Sequence, residues 1–359
     1  MKKKGQFRRI AVKIGTQVLT DENGMLDQTR VDELVRQVSG IRKNGTEVIL
    51  ITSGAVASGR GLFKPEQKID PVSLRQLWSS IGQIRLIQVY SSLFEKYKTL
   101  CSQVLVTRED FRSRVHYLNI KNCFTVLLNQ GIIPIVNEND VVSVTELMFT
   151  DNDELAALVA TMLNVDCLII LTTVEGIMKN REDGKPDLIE SVEPGNRNFE
   201  KHISSGKSAF GKGGMLTKAV MARKVAESGI DVRIANGKKD NILPAVLSGE
   251  TAHTRFIPAA GKTSIKKWLQ HSFGFEKGAV VINGGAVEAL KKRKAASLLP
   301  VGIVAVEGEF QKGDLITIYN EKKQQVGLGI AQYSDEQARL KTGKQHEKPL
   351  IHYDYLFLL

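Results

Sequence analysis

The segment from Ile132 to Thr172 constrains the fold more strongly than any other part of the chain. Two short apolar runs, IIPIV at 132–136 and DCLIIL at 166–171, flank a stretch with helical periodicity. Such runs are typical of strands that are buried on both faces of a parallel sheet. The helix between them is predicted to bury one apolar face, made by Leu155, Leu158, Val159 and Met162.

Polar side chains stand where these elements end and begin. NEND at 137–140 follows the first apolar run, and TDND at 150–153 opens the helix. Taken alone, Asp151 or Asp153 is explained as a helix cap, and Asn139-Asp140 as a turn. Open α/β sheets bind ligands at the carboxyl ends of their strands. The two clusters together therefore predict a site for a small, charged metabolite.

The same alternation of strand and helix extends to both sides of this segment. Strands are predicted at 8–19 (running into a glycine turn), 46–52, 103–107 and 230–236, and helices at 27–44, 72–97 and 114–130. A polar loop is predicted at 173–186. This order predicts an α/β fold, with a three-layer α/β/α domain.

Glycines next to strand ends and helix starts predict contacts with phosphate groups, because backbone N–H groups there can approach an anion. The candidates are Lys13 with Gly15, Ser53 with Gly54, and the glycine run 211–214 with Lys218. Each taken alone is equally well explained by a solvated lysine, a packing turn or a hinge. The run at 206–213 is not a P-loop, because Gly213 stands where Ser or Thr would hold Mg²⁺.

The last quarter of the chain has a different character. Short strands separated by turns are predicted at 279–283, 302–308, 314–320, 325–333 and 349–359. We therefore expect a first domain at 1–260, a linker at 261–276, and a small, mostly β domain resembling a pseudo-barrel at 277–359.

Composition and charge narrow the class of protein. With 42% hydrophobic and 25% charged residues, the chain is typical of globular proteins. Its formal charge of +11 is more typical of a solvated surface than of a nucleic-acid site. Three cysteines, Cys101, Cys123 and Cys167, are predicted to be buried thiols in a reducing compartment. Neither a signal peptide nor a membrane span is predicted, so we expect a cytoplasmic protein.

Nine motifs, taken in order, resemble those of the glutamate 5-kinases within the amino-acid-kinase family. They are VKIGT (12–16), TSGAVASGR (52–60), IGQ (81–83), VTRED (106–110), YLN (117–119), IPIVNEND (133–140), DNDELAALVA (151–160), GGMLTK (213–218) and SLLPVGIVAVEGEFQKGD (297–314). The resemblance covers nearly the whole chain. It implies an amino-acid-kinase domain followed by a PUA domain, and phosphorylation of the side-chain carboxylate of glutamate at the start of proline synthesis.

The resemblance also implies roles for individual residues. ATP is expected at Lys13, Gly15, Thr172, Thr173, Lys212, Gly213, Gly214, Met215, Leu216, Thr217 and Lys218. L-glutamate is expected at Ser53, Gly54, Asp140 and Asn152. The catalytic residues are expected to be Lys13, Lys218 and Asp153, with Asp153 organising the lysines. Mg²⁺ is implied as a cofactor, but no residue is assigned to it, because Mg²⁺ often binds mainly through substrate phosphates and water.

Four positions differ from the usual family pattern. Gln17 and Thr150 replace serine and glycine, while Thr173 and Lys212 stand where an acidic residue and threonine are more common. None of these changes removes a charge that the chemistry needs. We therefore expect an active enzyme, in which Thr173 and Lys212 bear on ATP affinity and Thr150 stiffens the loop beside glutamate.

Other functions are left open at this point. Related kinases act on aspartate, carbamate or nucleotides, and a degenerate kinase or a protein that binds RNA through its last domain is a further alternative. RNA binding is not favoured, because the last domain lacks an evident aromatic platform. Inhibition by proline and a homo-oligomeric state are implied only by the resemblance.

Overall fold

The computed structural model describes residues 7–142, 152–180, 186–202, 214–260, 276–292 and 296–359. The chain divides into two compact units. The first comprises residues 1–108 and 121–261, and the second comprises residues 109–120 and 262–359. The predicted linker lies almost wholly outside the described residues.

A large sheet runs through the first unit. Its strands are β1 (Arg9–Ile14), β2 (Glu47–Ile51), β3 (Cys101–Val106), β4 (Ile133–Glu138), β5 (Cys167–Thr172), β8 (Ser191–Val192), β9 (Asp231–Asn236) and β10 (Thr254–Phe256). Within the described residues their order is β3-β4-β2-β1-β5-β9-β10-β8, and only the β9–β10 pair is antiparallel. The parallel sheet expected from the apolar runs is confirmed.

Helices alternate with these strands along the chain. They are α1 (Thr16–Leu19), α2 (Gln28–Lys43), α3 (Ala55–Leu62), α4 (Pro71–Lys96), α5 (Arg108–Arg112), α6 (Arg114–Asn129), α7 (Asn152–Met162), α8 (Met215–Glu227) and α9 (Ile242–Ser248). The sequence predicted α2, α3, α4, α6, α7 and α8, whereas α1, α5 and α9 were not predicted. No helix in the described part of the chain is both long enough and apolar enough to pass through a membrane.

Strand β1 lies at the centre of the sheet and determines where a ligand fits. It pairs with β2 on one side and with β5 on the other, so that Lys13 stands beside Ile51 and Ile170. The chain leaves β1 for β2 on one side and reaches β5 only later, on the other side. In α/β sheets, ligands bind at the carboxyl ends of the strands beside such a point of divergence.

Helix α7 buries the predicted face and most of its remaining surface. Leu155, Leu158, Val159 and Met162 are all buried, as are nine of its eleven residues in total. Small residues on its second face, Ala156, Ala157 and Ala160, allow neighbouring elements to approach closely. A helix that is apolar on all sides packs inside the protein. The first turn of α7 is therefore placed deep in the molecule.

Helices α3 and α4 pack with their backbones in contact. A Cβ atom on Gly82 would lie 1.8 Å from the carbonyl oxygen of Ala55, and one on Gly59 would lie 1.8 Å from that of Trp78. Any side chain at either position would force the helices apart. Because α3 starts directly after Ser53-Gly54, this packing holds α4 against the end of β2.

Two further predictions need correction. The segment predicted as a polar loop contains strands β6 (Met178–Asn180) and β7 (Pro186–Leu188), which pair in antiparallel fashion. Of the three cysteines, only Cys167 is fully buried; Cys101 is half-buried and Cys123 is exposed. Cys123 lies on the solvent side of α6, which its neighbouring apolar residues did not reveal. Burial raises the pKa of the Cys101 thiol to about 11.

A smaller sheet forms the second unit, as predicted for a mostly β domain. Its strands are β11 (Gly278–Ile282), β12 (Ile303–Gly308), β13 (Leu315–Asn320), β14 (Gln325–Ile330) and β15 (Leu356–Leu358), and its helices are α10 (Gly284–Lys292) and α11 (Asp335–Lys341). In the described residues the strand order is β12-β11-β13-β14-β15. The last strand is shorter than the predicted 349–359, because a 3₁₀ turn occupies Tyr353–Tyr355.

Candidate active site

Three charged side chains meet at the carboxyl end of β1, and we call them the lysine–aspartate centre: Lys13, Asp153 and Lys218. The Lys13 Nζ lies 2.6 Å from Oδ1 of Asp153, and the Lys218 Nζ lies 3.1 Å from Oδ2. Lys13 precedes the last residue of β1, while Asp153 and Lys218 lie in the first turns of α7 and α8. The three residues predicted to be catalytic are thus in direct contact.

These three side chains are largely buried, so their charges interact more strongly than they would in water. The exposed fractions of the side chains are 3% for Lys13, 0% for Asp153 and 13% for Lys218. Asp153 also lies at the positive end of the α7 dipole, which favours its ionised form. The centre holds two positive charges against one negative charge where water screens poorly, so it favours an anion nearby.

Backbone groups beside the centre come from β1 and β5. The Gly15 N–H donates to the Leu171 carbonyl at 3.2 Å, so it closes the sheet rather than pointing toward a ligand. Thr172 ends β5, and its carbonyl accepts from the Gly237 N–H at 2.7 Å. Thr173 is exposed. Gly15 and Thr172 therefore lie at the carboxyl ends of β1 and β5.

Of the glycine run 211–214, only Gly214 lies within the described residues, at the start of α8. Gly214 directly precedes α8 in an extended conformation and makes no side-chain cap, so the first N–H groups of α8 lack that partner. Met215, Leu216 and Thr217 form the first turn. Helix N-termini of this length favour anions. Four of the residues discussed above, Thr150, Asp151, Lys212 and Gly213, lie outside the described residues.

Asn152 links the predicted glutamate residues on the other side of α7. Its Nδ2 donates to Ser53 Oγ at 2.8 Å, to the Thr52 carbonyl at 3.0 Å and to Asn137 Oδ1 at 3.3 Å. Gly54 follows with φ +104°, a conformation that favours glycine, and begins α3. The ends of β2 and β4 and the start of α7 are therefore joined by one amide.

The side chain of Thr52 contacts the buried Tyr90. The Tyr90 hydroxyl and Thr52 Oγ1 are 3.0 Å apart. Burial raises the pKa of Tyr90 to about 12, so the phenol is neutral over the physiological range. The pair fixes the backbone that carries Ser53.

Asp140 is held by α4, which the sequence reasoning did not foresee. Arg75 donates to Asp140 Oδ1 through Nε at 3.1 Å and through Nη2 at 2.7 Å. Ser79 Oγ donates to Oδ2 at 3.0 Å. One turn later, Gln83 Oε1 accepts from Asn137 Nδ2 at 3.0 Å. We call Arg75, Ser79 and Gln83 the α4 polar stripe.

A signal for this stripe was present in the sequence. Residues 75, 79 and 83 follow one another at intervals of four, which places them on one side of a helix. The predicted helix at 72–97 contained all three. Only Gln83 stood within a motif, and nothing in the sequence paired the stripe with Asp140.

Comparison with known proteins agrees with this geometry. Residues 8–236 match the amino acid kinase family, and residues 278–353 match the PUA domain. A glutamate 5-kinase from Chlorobaculum tepidum is 49% identical over 354 residues, covering 98% of each chain. A glutamate 5-kinase from Bacteroides thetaiotaomicron is 50% identical over 359 residues, covering 99% of each chain. The chain belongs to the glutamate 5-kinase group of the amino acid kinase family.

Membership in this family makes the chain a kinase and confirms the resemblance drawn from the motifs. Among solved structures, a carbamate kinase from Giardia lamblia bound to AMP-PNP matches with a TM-score of 0.50 and 19% identity. The match covers 70% of this chain and 99% of that one. At this identity the likeness concerns the fold alone.

Mg²⁺ is typical of kinases, and carboxylates are its usual protein ligands. The described residues contain no group of three His, Cys, Asp or Glu side chains that fits a metal ion. Both oxygens of Asp153 already bind lysines. No such ligand set is formed within the described part of the chain, and the use of Mg²⁺ stays a prediction.

Proposed function

We propose that the protein transfers the γ-phosphoryl group of ATP to the side-chain carboxylate of L-glutamate, forming L-glutamyl 5-phosphate at the start of proline synthesis. The observation that carries this proposal is the lysine–aspartate centre. A buried pair of lysines at the carboxyl edge of the sheet suits a reaction in which two anions must approach each other. The relatives named above support glutamate as the acceptor.

The chemistry needs no general base. A glutamate side chain has a pKa of about 4.3, so its carboxylate is ionised at neutral pH. One carboxylate oxygen forms a bond to the γ-phosphorus, the bond from that phosphorus to the β–γ bridging oxygen breaks, and ADP leaves with that electron pair. No proton is transferred. Catalysis therefore consists of alignment and charge stabilisation.

The lysine–aspartate centre is proposed to supply that stabilisation. Lys13 and Lys218 bind different oxygens of the same carboxylate, so Asp153 holds their ammonium groups in fixed positions before the reaction. Preorganised charges in a water-poor site stabilise a transition state without further rearrangement. The first N–H groups of α8, after Gly214, are proposed to face the phosphates, with Gly15, Thr172 and Thr173 bordering the nucleotide.

Glutamate is proposed to lie on the other side of α7. Ser53 and Gly54 follow β2, Asn152 starts α7, and Asp140 follows β4. In this arrangement the neutral side chains contact the substrate, while the Asp140 carboxylate accepts from its α-ammonium group. The side-chain carboxylate then points toward the lysine–aspartate centre, because Asn152 and Asp153 are consecutive.

The test is ATP-dependent formation of an acyl phosphate, trapped with hydroxylamine, with glutamate, with aspartate and without an acceptor. Hydroxamate from glutamate alone is expected. Equal product from aspartate would assign a different acceptor. No product from a folded protein would indicate a degenerate kinase.

A pair of variants connects this reaction to the proposed centre. Lys13→Met is expected to abolish hydroxamate formation nearly completely. Lys96→Met is the control, because Lys96 is 58% exposed in a surface ion pair. Equal activity in both variants would remove Lys13 from the mechanism.

We also propose that residues 1–260 contain all of the catalytic machinery and that 277–359 form a separate PUA domain. A chain ending at residue 260 should then still form hydroxamate. Complete inactivity of a folded truncation would contradict this boundary. Inhibition by proline, self-association and a cytoplasmic location stay predictions from the resemblance.

A further inference from the structure

Arg75 has hydrogen-bonding capacity that its contacts within the protein do not use. Its Nε and Nη2 both bind Asp140, and Nη2 also lies 3.5 Å from Glu138. Among the described residues, Nη1 makes no such contact. A guanidinium group has five N–H donors, two of them on Nη1. The Arg75 side chain is 35% exposed, so it is open to a ligand.

Asp140 has matching capacity for a donor. Its Oδ1 accepts from Arg75 and its Oδ2 accepts from Ser79 within the described residues. A carboxylate has about four lone-pair positions, so Oδ2 retains one. An acceptor and a pair of donors are thus held side by side.

Their position is fixed by the rest of the α4 polar stripe and by Gln76. Ser79 is 2% exposed, and Gln76 Nε2 donates to the Val141 carbonyl at 2.9 Å. Gln83 holds Asn137, which accepts from Asn152 at 3.3 Å. The pair of charges is therefore built into the same hydrogen-bonded framework as the proposed glutamate residues.

We propose that Arg75 binds the α-carboxylate of the amino-acid substrate while Asp140 binds its α-ammonium group. This inference rests on the proposed function, which supplies the substrate. An amino acid presents one negative and one positive group on the same carbon. The Arg75–Asp140 pair presents the complementary charges about one hydrogen bond apart, so it recognises the zwitterion and leaves the side chain for the lysine–aspartate centre.

Two analogues of glutamate separate the two halves of this recognition. Glutarate lacks the α-ammonium group and keeps both carboxylates, whereas 4-aminobutanoate keeps the amine and lacks the α-carboxylate. Each is measured as a competitive inhibitor of hydroxamate formation from glutamate. Arg75→Gln should raise the glutamate KM and the glutarate inhibition constant about 10- to 100-fold, the size of one charge-assisted hydrogen bond. It should leave the 4-aminobutanoate constant unchanged.

The complementary variant should show the reverse pattern. Asp140→Asn should weaken glutamate and 4-aminobutanoate but not glutarate. Arg75→Lys should recover part of the glutarate affinity, since it restores charge without the planar fork. Arg85→Gln is the control, because Arg85 is an exposed arginine of the same helix.

Several outcomes would overturn the proposal. An unchanged glutamate KM in Arg75→Gln would exclude contact with the substrate. A rise in the 4-aminobutanoate constant equal to that for glutamate would show that Arg75 only holds Asp140 in place. Calorimetric binding of glutamate tests Arg75 separately from turnover. A wild type that binds glutamate without forming acyl phosphate would refute the proposed function and leave the Arg75 test intact.

Discussion

Two carboxylates in the first unit are each held by basic side chains, but in different ways. Asp153 is fully buried between Lys13 and Lys218, which contact it from the carboxyl end of β1 and from the first turn of α8. Asp140 is held by Arg75, whose side chain is 35% exposed. The first arrangement holds the charges of Lys13, Asp153 and Lys218 in fixed positions, shielded from water. The second leaves donors of Arg75 exposed beside a buried carboxylate.

This difference indicates that the two carboxylates have different roles. A buried ion pair tolerates the loss of a partner poorly, since the remaining charge has no water to solvate it. In the second pair only Asp140 is buried, at 7% exposure, while the partly exposed Arg75 can bind a further charged group. Turnover should therefore depend on the lysine–aspartate centre, and acceptor affinity on Arg75 and Asp140. Four tests examine this division, from the largest expected effect to the smallest.

Asp153→Asn should have the largest effect, on turnover and on stability together. The change leaves two largely buried lysines without their shared carboxylate, which should lower the free energy of unfolding by about 3–5 kcal/mol. Turnover should fall at least about 10²-fold, because the lysines lose their fixed positions. Urea unfolding and the hydroxamate assay measure both. Asp240→Asn is the control, since Asp240 is 83% exposed; equal effects in the two variants would contradict the special role of Asp153.

Lys218→Met should reduce kcat about 10²- to 10³-fold with a much smaller loss of stability. The Lys13–Asp153 pair remains intact in this variant, so no buried charge is left alone. Steady-state kinetics and thermal unfolding make the comparison with Asp153→Asn. A normal kcat accompanied by a raised KM for ATP would assign Lys218 to nucleotide binding alone.

Asp140→Asn should act on the acceptor rather than on the reaction. Loss of one charge-assisted hydrogen bond, about 1.5–3 kcal/mol, predicts a glutamate KM roughly 10- to 100-fold higher. The KM for ATP and the kcat should change little. Initial rates at varied glutamate and ATP separate these constants, and an unchanged glutamate KM would remove Asp140 from the acceptor site.

Gly82→Ala tests whether the α4 polar stripe can be displaced without affecting the lysine–aspartate centre. The new Cβ meets the Ala55 carbonyl, so α3 and α4 must separate, at a cost of about 1–3 kcal/mol. The glutamate KM should rise more than kcat falls. Gly40→Ala in α2 is the matched control, because a Cβ atom on Gly40 would meet no neighbouring atom within 4 Å. This substitution should raise the free energy of unfolding by about 0.5–1 kcal/mol. A kcat loss in Gly82→Ala larger than its KM effect would show that the two clusters are not independent.

Much of the fold followed from local patterns. IIPIV and DCLIIL predicted β4 and β5, because uninterrupted apolar runs have few solutions other than burial in a parallel sheet. Polar residues directly after such strands predicted the edge at which Asp153, Asn152 and Asp140 lie. Cys123 was misjudged, because apolar neighbours along the chain do not reveal which side of a helix faces water.

The sequence by itself determined which residues stand at strand ends and helix starts, since those positions depend on periodicity and on residue type. It also determined the family, through motifs spread over the whole chain. Only the tertiary structure decided which of these residues meet. Lys13 and Lys218 are 205 positions apart and contact one carboxylate, while Arg75 and Asp140 are brought together by the glycine contact of α3 with α4. Such pairings depend on how the sheet and its helices pack, because contacts between distant segments leave no local pattern in the chain.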